Sequence, residues 1–160
     1  MADDRQAVKR IGELLIAKGL ITASQLEAAL KEQHPTGDLL GAILLRNGWV
    51  TEEAFLKALG ERFEIPYGRL EDEEVDWSVA RKFPTSIAEH LCFPIRMNNE
   101  TVTVAIANPL DAWVFTELEN WIGHRKLDLL LVSERALREA LRRSRLESLD
   151  SLLGEGEGSG

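Results

Sequence analysis

The side chains best suited to hold a ligand are four polar residues, Arg10, Gln33, Arg46 and Arg62. A guanidinium presents a fixed fork of donors that matches a phosphate or the O6/N7 edge of guanine, and its plane can stack on a base. A Gln amide can donate one hydrogen bond and accept another. These residue types indicate a site for an anionic, nucleotide-like ligand. The same residues also fit a solvated surface, so both interpretations stay open at the level of residue type.

Two glycines extend the candidate site. Gly12 and Gly41 are each expected near the start of a helix, where free N–H groups could approach a phosphate or a ring. Glycines near helix ends also commonly serve in turns. Either role is compatible with the sequence.

No known catalytic or metal-binding motif is found. The sequence lacks G-x-x-x-x-G-K-[ST], H-E-x-x-H and G-x-S-x-G. His34, His90 and His124 do not have the spacing of metal ligands, and Cys92 begins an apolar stretch typical of a small core residue. We therefore expect that the chain is not an enzyme and holds no metal.

Composition limits the partners of the chain. Its 160 residues carry 27 acidic against 19 basic side chains, a formal charge of -8 that disfavours DNA, RNA and anionic membranes. One cysteine excludes an internal disulfide and fits a reducing compartment. No apolar run approaches the ~20 residues of a membrane span, and the charged N-terminus is unlike a signal peptide. We expect a globular, cytoplasmic protein without direct membrane insertion.

The candidate residues lie in an internal duplication. Residues 10–33 and 39–62 align without a gap at an offset of 29, as two 24-residue motifs joined by five residues. Each motif predicts two helices. The first, at residues 12–18 in motif one, ends at a glycine, and the second begins at Thr22 or Thr51. A DNA-binding helix-turn-helix is disfavoured because neither motif has a basic recognition face.

The rest of the chain predicts a different architecture. We expect an acidic connector at residues 65–76, a small α/β subdomain at 77–146 and a flexible tail or linker at 147–160. The subdomain is predicted in the order α-β-β-α-β-α, with strands at 92–97, 101–107 and 127–132. The fold class is therefore α+β: a helical subdomain at residues 1–64, built from the duplicated two-helix motif, and then the small α/β subdomain.

The first motif carries a family resemblance. Its residues fill the pattern R-[IL]-G-x-x-L-x-x-x-G-x-[IV] and continue to L-x-x-x-L-x-x-Q, and most of the pattern recurs in the second motif. The stretch TVTVAIANPLD resembles a strand of the same family that ends in A-[DN]-P. Residues 10–145 thus resemble the MshEN domain, the N-terminal domain of type II secretion and type IV pilus assembly ATPases.

The resemblance implies a receptor for the bacterial second messenger cyclic di-GMP, with each motif holding one half of the dinucleotide. Arg10 and Gln33 would contact guanine or phosphate, and Asn108 would close over the ligand from the second subdomain. The two half-sites would be lined by Ile11, Gly12, Leu15, Leu40, Gly41 and Leu44.

The second motif departs from the family pattern at three positions. Leu39 replaces a basic residue, Ala42 stands where a polar residue would help, and Arg62 replaces the final Gln. Arg62 could still donate to guanine. Each of the other two losses would weaken binding by about 1 kcal/mol, or roughly fivefold.

The resemblance also implies what the domain would serve. The partner would be an attached or associated ATPase, a glycosyltransferase or an inner-membrane assembly protein in secretion, pilus extension or polysaccharide export. The alternative is a protein-docking module of a type II secretion-like ATPase that binds no nucleotide. The altered second motif favours this alternative.

Overall fold

The chain forms two units, each with its own packing. The computed structural model describes the backbone of residues 2–158 and the side chains of residue 6 and residues 8–146. Contacts divide the chain into a first unit, Met1–Tyr67, and a second unit, Gly68–Gly160. The first unit is helical and the second combines helices with a three-stranded sheet, which confirms the α+β class.

Four helices build the first unit. They are α1 (Ala2–Ala17), α2 (Ala23–Thr36), α3 (Leu40–Arg46) and α4 (Glu52–Phe63). The predicted boundary residues lie at the helix ends. Gly19 and Gly48 follow α1 and α3 with φ of 75° and 71°, a left-handed conformation that glycine adopts without steric cost. The Thr22 hydroxyl accepts from the backbone N–H of Gln25 at 3.1 Å, and the Gln25 side chain accepts from the backbone N–H of Thr22 in return.

Two helices of the first unit are longer than the sequence predicts. α1 begins at Ala2, because residues 2–11 contain neither glycine nor proline to stop a helix. Gly12 is therefore in the interior of α1, and its expected place near a helix start is wrong. Gly41 is the second residue of α3, as expected. α2 continues through Pro35 and ends where Gly37 takes a φ of 71°.

The core of the first unit repeats from motif to motif. Ile11 and Leu40 are each 6% exposed, and Leu15 and Leu44 have no exposed surface. Each pair is related by the offset of 29 residues. The duplication in sequence is thus a duplication in packing.

The second unit is a three-stranded sheet with helices before, between and after its strands in the sequence. Its helices are η1 (Leu70–Asp72), α5 (Trp77–Lys82), α6 (Thr85–Ala88), α7 (Ala112–Ile122) and α8 (Glu134–Gly158), and its strands are β1 (Cys92–Met97), β2 (Thr101–Ile106) and β3 (Lys126–Leu131). β2 is central. It pairs antiparallel with β1 and parallel with β3, and α7 makes the crossover.

The core of the second unit includes part of the segment expected as an acidic connector. Leu70 is 4% exposed and packs in one cluster with Phe93, Ile95 and Leu137. The backbone N–H of Asp76 donates to the Ile95 carbonyl at 2.8 Å. The segment after Tyr67 therefore belongs to the second unit, although most of its carboxylates face solvent.

The last helix continues into the residues expected as a flexible tail. α8 reaches Gly158, whereas the sequence predicts its end at Leu146. Leucines at 146, 149 and 153 continue the helical spacing past that point. Residues 159–160 of the expected tail lie outside the described residues. No helix among those that the structure describes is long and apolar enough to cross a membrane.

Candidate functional site

The two motifs of the first unit exchange contacts reciprocally. The Nζ of Lys18, directly after α1, contacts Glu61 Oε2 of α4 at 2.5 Å. At the equivalent positions 29 residues away, Asn47 Nδ2 at the end of α3 donates to Glu32 Oε2 of α2 at 3.2 Å. A purely translational repeat would not form both contacts, α1 with α4 and α3 with α2, at the same time. The exchange requires an approximate two-fold relation between the motifs.

A second pair of equivalent contacts holds each motif together. A Cβ atom on Gly12 would lie 2.3 Å from Leu26 Cδ1, and one on Gly41 would lie 2.4 Å from Phe55 Cε1. Leu26 and Phe55 are themselves related by the offset of 29. Both glycines therefore allow two helices to approach closely, a packing role that needs no ligand.

Arg10 and Gln33, the polar residues of the first motif, differ in how they are engaged. Arg10 is exposed on α1 and forms no ion pair with any side chain that the structure describes. Gln33 is half-buried, and its Nε2 donates to the Asp38 carbonyl at 3.0 Å. Gln33 thus ties the end of α2 to the residues that lead into α3, and Arg10 is open to solvent and to an anion.

The corresponding residues of the second motif offer less polar chemistry. Leu39 is the half-buried N-cap of α3 and forms no side-chain cap, and Ala42 is also half-buried. Arg62 is exposed, with its guanidinium carbon 5.6 Å from the centroid of the Phe63 ring. That distance is within cation–π range. The two halves of the site are alike in packing and unlike in polar groups.

Arg46 forms ion pairs with two carboxylates of the first unit. Its guanidinium binds Asp38 Oδ2 at 3.0 Å and also the Glu32 carboxylate. The hydrogen bond from Arg46, followed by that from Asn47, lowers the pKa of Glu32 below its ordinary value. The same hydrogen bond from Glu32 raises the pKa of Arg46. Because two carboxylates already neutralise it, Arg46 is not the open cation that its residue type alone indicates.

The apolar residues predicted to line the half-sites are mostly core. Leu15 and Leu44 have no exposed surface, and Ile11 and Leu40 have little. They form the packing that positions α1 and α3. Their contact with a ligand stays a prediction.

Asn108 lies in the second unit, directly after β2. Its Oδ1 accepts from the backbone N–H of Leu110 at 3.1 Å, which forms a turn before α7. The predicted closure of Asn108 over a ligand stays a prediction.

The sequence reasoning missed the reciprocal pairs of Lys18 with Glu61 and of Asn47 with Glu32. The signal was available, because the offset of 29 places polar residues at positions 18 and 47 and glutamates at 32 and 61. No group of three or more His, Cys, Asp or Glu side chains that could hold a metal ion occurs within the described part of the chain.

Comparison with protein families matches part of the chain to a domain family. The model of the MshEN domain matches residues 63–150, the end of α4 and most of the second unit. Both tandem motifs, residues 10–33 and 39–62, lie before the matched residues.

Two relatives are type IV pilus assembly ATPases named PilB. The chain is 29% identical to that of Myxococcus xanthus over 150 residues, which cover 91% of this chain and 26% of the relative. It is 37% identical to that of Thermus thermophilus over 118 residues, which cover 72% of this chain and 13% of the relative. The chain thus spans about a quarter or less of these ATPases.

Two solved structures share the fold. One is described as MshE with cdg, an abbreviation of cyclic di-GMP. It matches with a TM-score of 0.68 and 27% identity over 84% of this chain and 97% of the other. The other is the N-terminal domain of XpsE, with a TM-score of 0.60 and 16% identity over 84% and 93% of the two chains. The second likeness concerns the fold alone.

Proposed function

The chain belongs to the MshEN domain family, and we propose that it binds cyclic di-GMP through the tandem motifs of its first unit. The observation that carries the proposal is the likeness to MshE, which was solved with that ligand. The match covers 84% of the chain. The second unit, residues 68–160, is 93 of the 160 residues, about 58%. The likeness therefore extends into the motif-bearing unit.

The approximate two-fold relation of the motifs supports a ligand made of two identical halves. Equivalent contacts, Lys18 with Glu61 and Asn47 with Glu32, relate one motif to the other. Cyclic di-GMP carries the same guanosine and phosphate twice. A receptor with two equivalent half-sites can meet both halves without a second copy of the chain.

The first half-site supplies the stronger polar contacts in this proposal. Arg10 is exposed and can give a charge-assisted hydrogen bond to a phosphate or to guanine. Gln33 is already oriented by its bond to Asp38, and its Oε1 remains an acceptor for a guanine N–H. In the second half-site Arg62 would take the place of Gln33, while Leu39 and Ala42 would contribute only apolar contact.

We further propose that the ligand is bound and not turned over. Binding would regulate a larger machine, since the PilB relatives are ATPases of which this chain spans 26% and 13%. An attached or associated ATPase, a glycosyltransferase or an inner-membrane assembly protein would be the regulated partner, and the site of action would be the cytoplasm.

Calorimetric titration with cyclic di-GMP tests the proposal, with GTP and cyclic di-AMP as controls. We expect saturable one-to-one binding and recovery of the intact dinucleotide by chromatography. Arg10→Ala should weaken binding by about 10- to 100-fold, the effect of losing about 1.5–3 kcal/mol from a charged hydrogen bond. Lys9→Ala removes an adjacent exposed charge from the same helix and should leave the affinity nearly unchanged.

The melting curve of each variant by circular dichroism must match that of the unmodified chain. No binding heat up to about a millimolar ligand, from a protein with a cooperative melt, would contradict the proposal. Equal weakening by Arg10→Ala and Lys9→Ala would show that Arg10 makes no specific contact.

The second candidate function is a docking module that binds no nucleotide. The observation that favours it is the second motif, where half-buried Leu39 and Ala42 replace polar groups. Restoring these groups separates the two functions. Leu39→Arg should tighten nucleotide binding if the second half-site is occupied, and should have no effect on a module that binds only protein.

A further inference from the structure

The second unit contains a cleft that is separate in sequence from the tandem motifs. It has a volume of about 350 Å³ and lies among α5, α6, β1 and α8. Its apolar wall includes Phe83 (8% exposed), Phe93 (1% exposed), Pro94 and the half-buried Leu141. The volume is in the range of clefts that take a ligand or a few side chains of a partner.

Two arginines from different helices stand at this cleft. Arg81 of α5 and Arg145 of α8 both line it and are both exposed. Neither has an acidic residue three or four positions away, the distance at which helical side chains pair. Among the side chains that the structure describes, neither forms an ion pair.

Other arginines of α8 are neutralised within the helix. Arg138 binds Glu134 at 2.8 Å, and Arg142 binds Glu139 at 2.9 Å. The chain as a whole carries a charge of -8. Arg81 and Arg145 thus place two cationic groups without an ion pair among the described side chains at one apolar cleft. Asp76 is nevertheless near enough to Arg81 for that charge to contribute, after the side-chain hydrogen bond from Ser78, to the lowered pKa of Asp76.

We propose that this cleft is a docking site for an acidic peptide segment of a partner protein. Carboxylates of the segment would bind Arg81 and Arg145 in bidentate fashion, and an apolar side chain between them would pack on half-buried Leu141 and on the small exposed part of Phe83. The Thr85 hydroxyl also lines the cleft and can hydrogen-bond the peptide backbone.

A peptide fits this chemistry better than other anions do. The net negative charge of the chain repels every anion, and it acts most strongly on extended polyanions such as nucleic acid and anionic membranes, whereas a short segment meets only the two arginines at the cleft. A free phosphate would use the two arginines but make no contact with the apolar wall. A segment that carries both carboxylates and apolar groups satisfies both parts of the cleft.

The test is the anisotropy of a labelled peptide titrated with the full chain, at low and at high salt. The probe is a capped octapeptide, LEELEELE, and its uncharged counterpart is LQQLQQLQ. The test variant combines Arg81→Gln with Arg145→Gln. The matched control combines Lys82→Gln with Arg135→Gln, which removes the same charge from the same two helices at exposed positions outside the cleft.

We expect saturable binding of the acidic peptide that weakens at high salt and by about tenfold or more in the test variant. The control variant should change the affinity by no more than about twofold. No saturation, equal binding of the uncharged peptide, or equal weakening in both variants would overturn the proposal. Binding to phosphatidylglycerol vesicles that depends on Arg81 and Arg145 would overturn it in favour of a lipid headgroup.

This test is independent of the proposed nucleotide site. The peptide is titrated without cyclic di-GMP, and the substituted arginines lie in the second unit. Failure of nucleotide binding would therefore leave the docking proposal intact, and the reverse also holds.

Discussion

The close approach of α1 to α2 at Gly12 can be tested by adding a single methyl group. In Gly12→Ala the new Cβ would lie 2.3 Å from Leu26 Cδ1 and 2.7 Å from Cδ2. Ordinary contact begins at 3.4 Å, so Cδ1 must withdraw by about 1.1 Å (3.4 − 2.3). Leu26 is only 7% exposed and has little room to withdraw into. The substitution should therefore strain the packing.

The expected size follows from two opposing terms. Overpacking of this kind costs about 1–3 kcal/mol, and alanine stabilises a helix interior by about 1 kcal/mol relative to glycine. Gly12→Ala should therefore lower the free energy of unfolding by up to about 2 kcal/mol. Leu26→Ala alone should lower it by about 2–5 kcal/mol through the cavity it leaves.

The double variant separates the strain from the helix preference. With Leu26→Ala already in place the clash is gone, so Gly12→Ala should now raise stability by about 1 kcal/mol. The coupling between the two substitutions should be about 1–3 kcal/mol. Urea denaturation followed by far-UV circular dichroism measures all four proteins of the cycle.

The result that refutes this reasoning is a Gly12→Ala substitution that stabilises both backgrounds equally. The second motif provides the matched cycle, Gly41→Ala with Phe55→Ala, where the new Cβ would lie 2.4 Å from the ring. Coupling of the same sign in both cycles would confirm that the two glycines have equivalent packing roles.

Three further predictions concern single sites. Burial, followed by the charge of Asp111, raises the pKa of the Cys92 thiol far above its usual range. A thiol-reactive dye at about pH 8 should therefore leave the folded chain unlabelled and label it in urea, and fast labelling of the folded chain would contradict the burial. The hydrogen bond from Arg46 lowers the pKa of Glu32 below its ordinary 4.5, so this contribution to stability is full above that pH and is lost as the pH falls through the lowered pKa. Glu32→Gln should make the acid-induced loss of stability shallower in a series of urea titrations, and an unchanged pH profile would show that the pair is not maintained in solution. Gly48→Ala should cost about 1 kcal/mol at the same assay because φ there is 71°, and a neutral effect would mean that the turn relaxes.

Local signals in the sequence predict several element boundaries, although not the start of α1 or the end of α8. The end of α1 at Gly19, the capping box of Thr22 and the N-cap of Asp111 each depend on groups within a few residues of one another. The order of helices and strands along the second unit is equally accessible, because turns and apolar runs alternate clearly there, whereas the pairing of the strands in the sheet is not predicted. These features need no knowledge of the tertiary fold.

Features that depend on distant parts of the chain could not be predicted in this way. Arg46 appears as an open cation in the sequence, yet its partners lie 8 and 14 residues away across a turn. Leu70 is a single apolar residue beside an acidic run, and only the packing of β1 and α8 shows it to be core. The start of α1 was missed for another reason, since nothing in residues 2–11 marks a boundary.

The sequence provides candidate residues for the site, which stay a prediction, and none of their geometry. The duplication identified the paired positions, and the structure adds the exchange of contacts that relates them. Arg10 is exposed to solvent, whereas Gln33 donates a hydrogen bond to the Asp38 carbonyl. Only the tertiary arrangement shows this difference.

Because contacts are exchanged between the motifs, the first unit resembles two half-chains joined by a tether. Each half contacts the other at the end of its first helix and along its second helix, in addition to the close approach of the two helices within each motif. The tether of residues 34–38 turns an association of two molecules into an internal one, with an effective concentration on the order of millimolar. In a true homodimer every substitution would appear on both sides of the axis. In the joined chain the equivalent pairs differ. Lys18 with Glu61 is an ammonium–carboxylate pair, whereas Asn47 with Glu32 is an amide–carboxylate pair. Likewise, the position equivalent to Arg10 is Leu39. Covalent joining thus allows the two halves to differ in their polar residues while they keep equivalent packing.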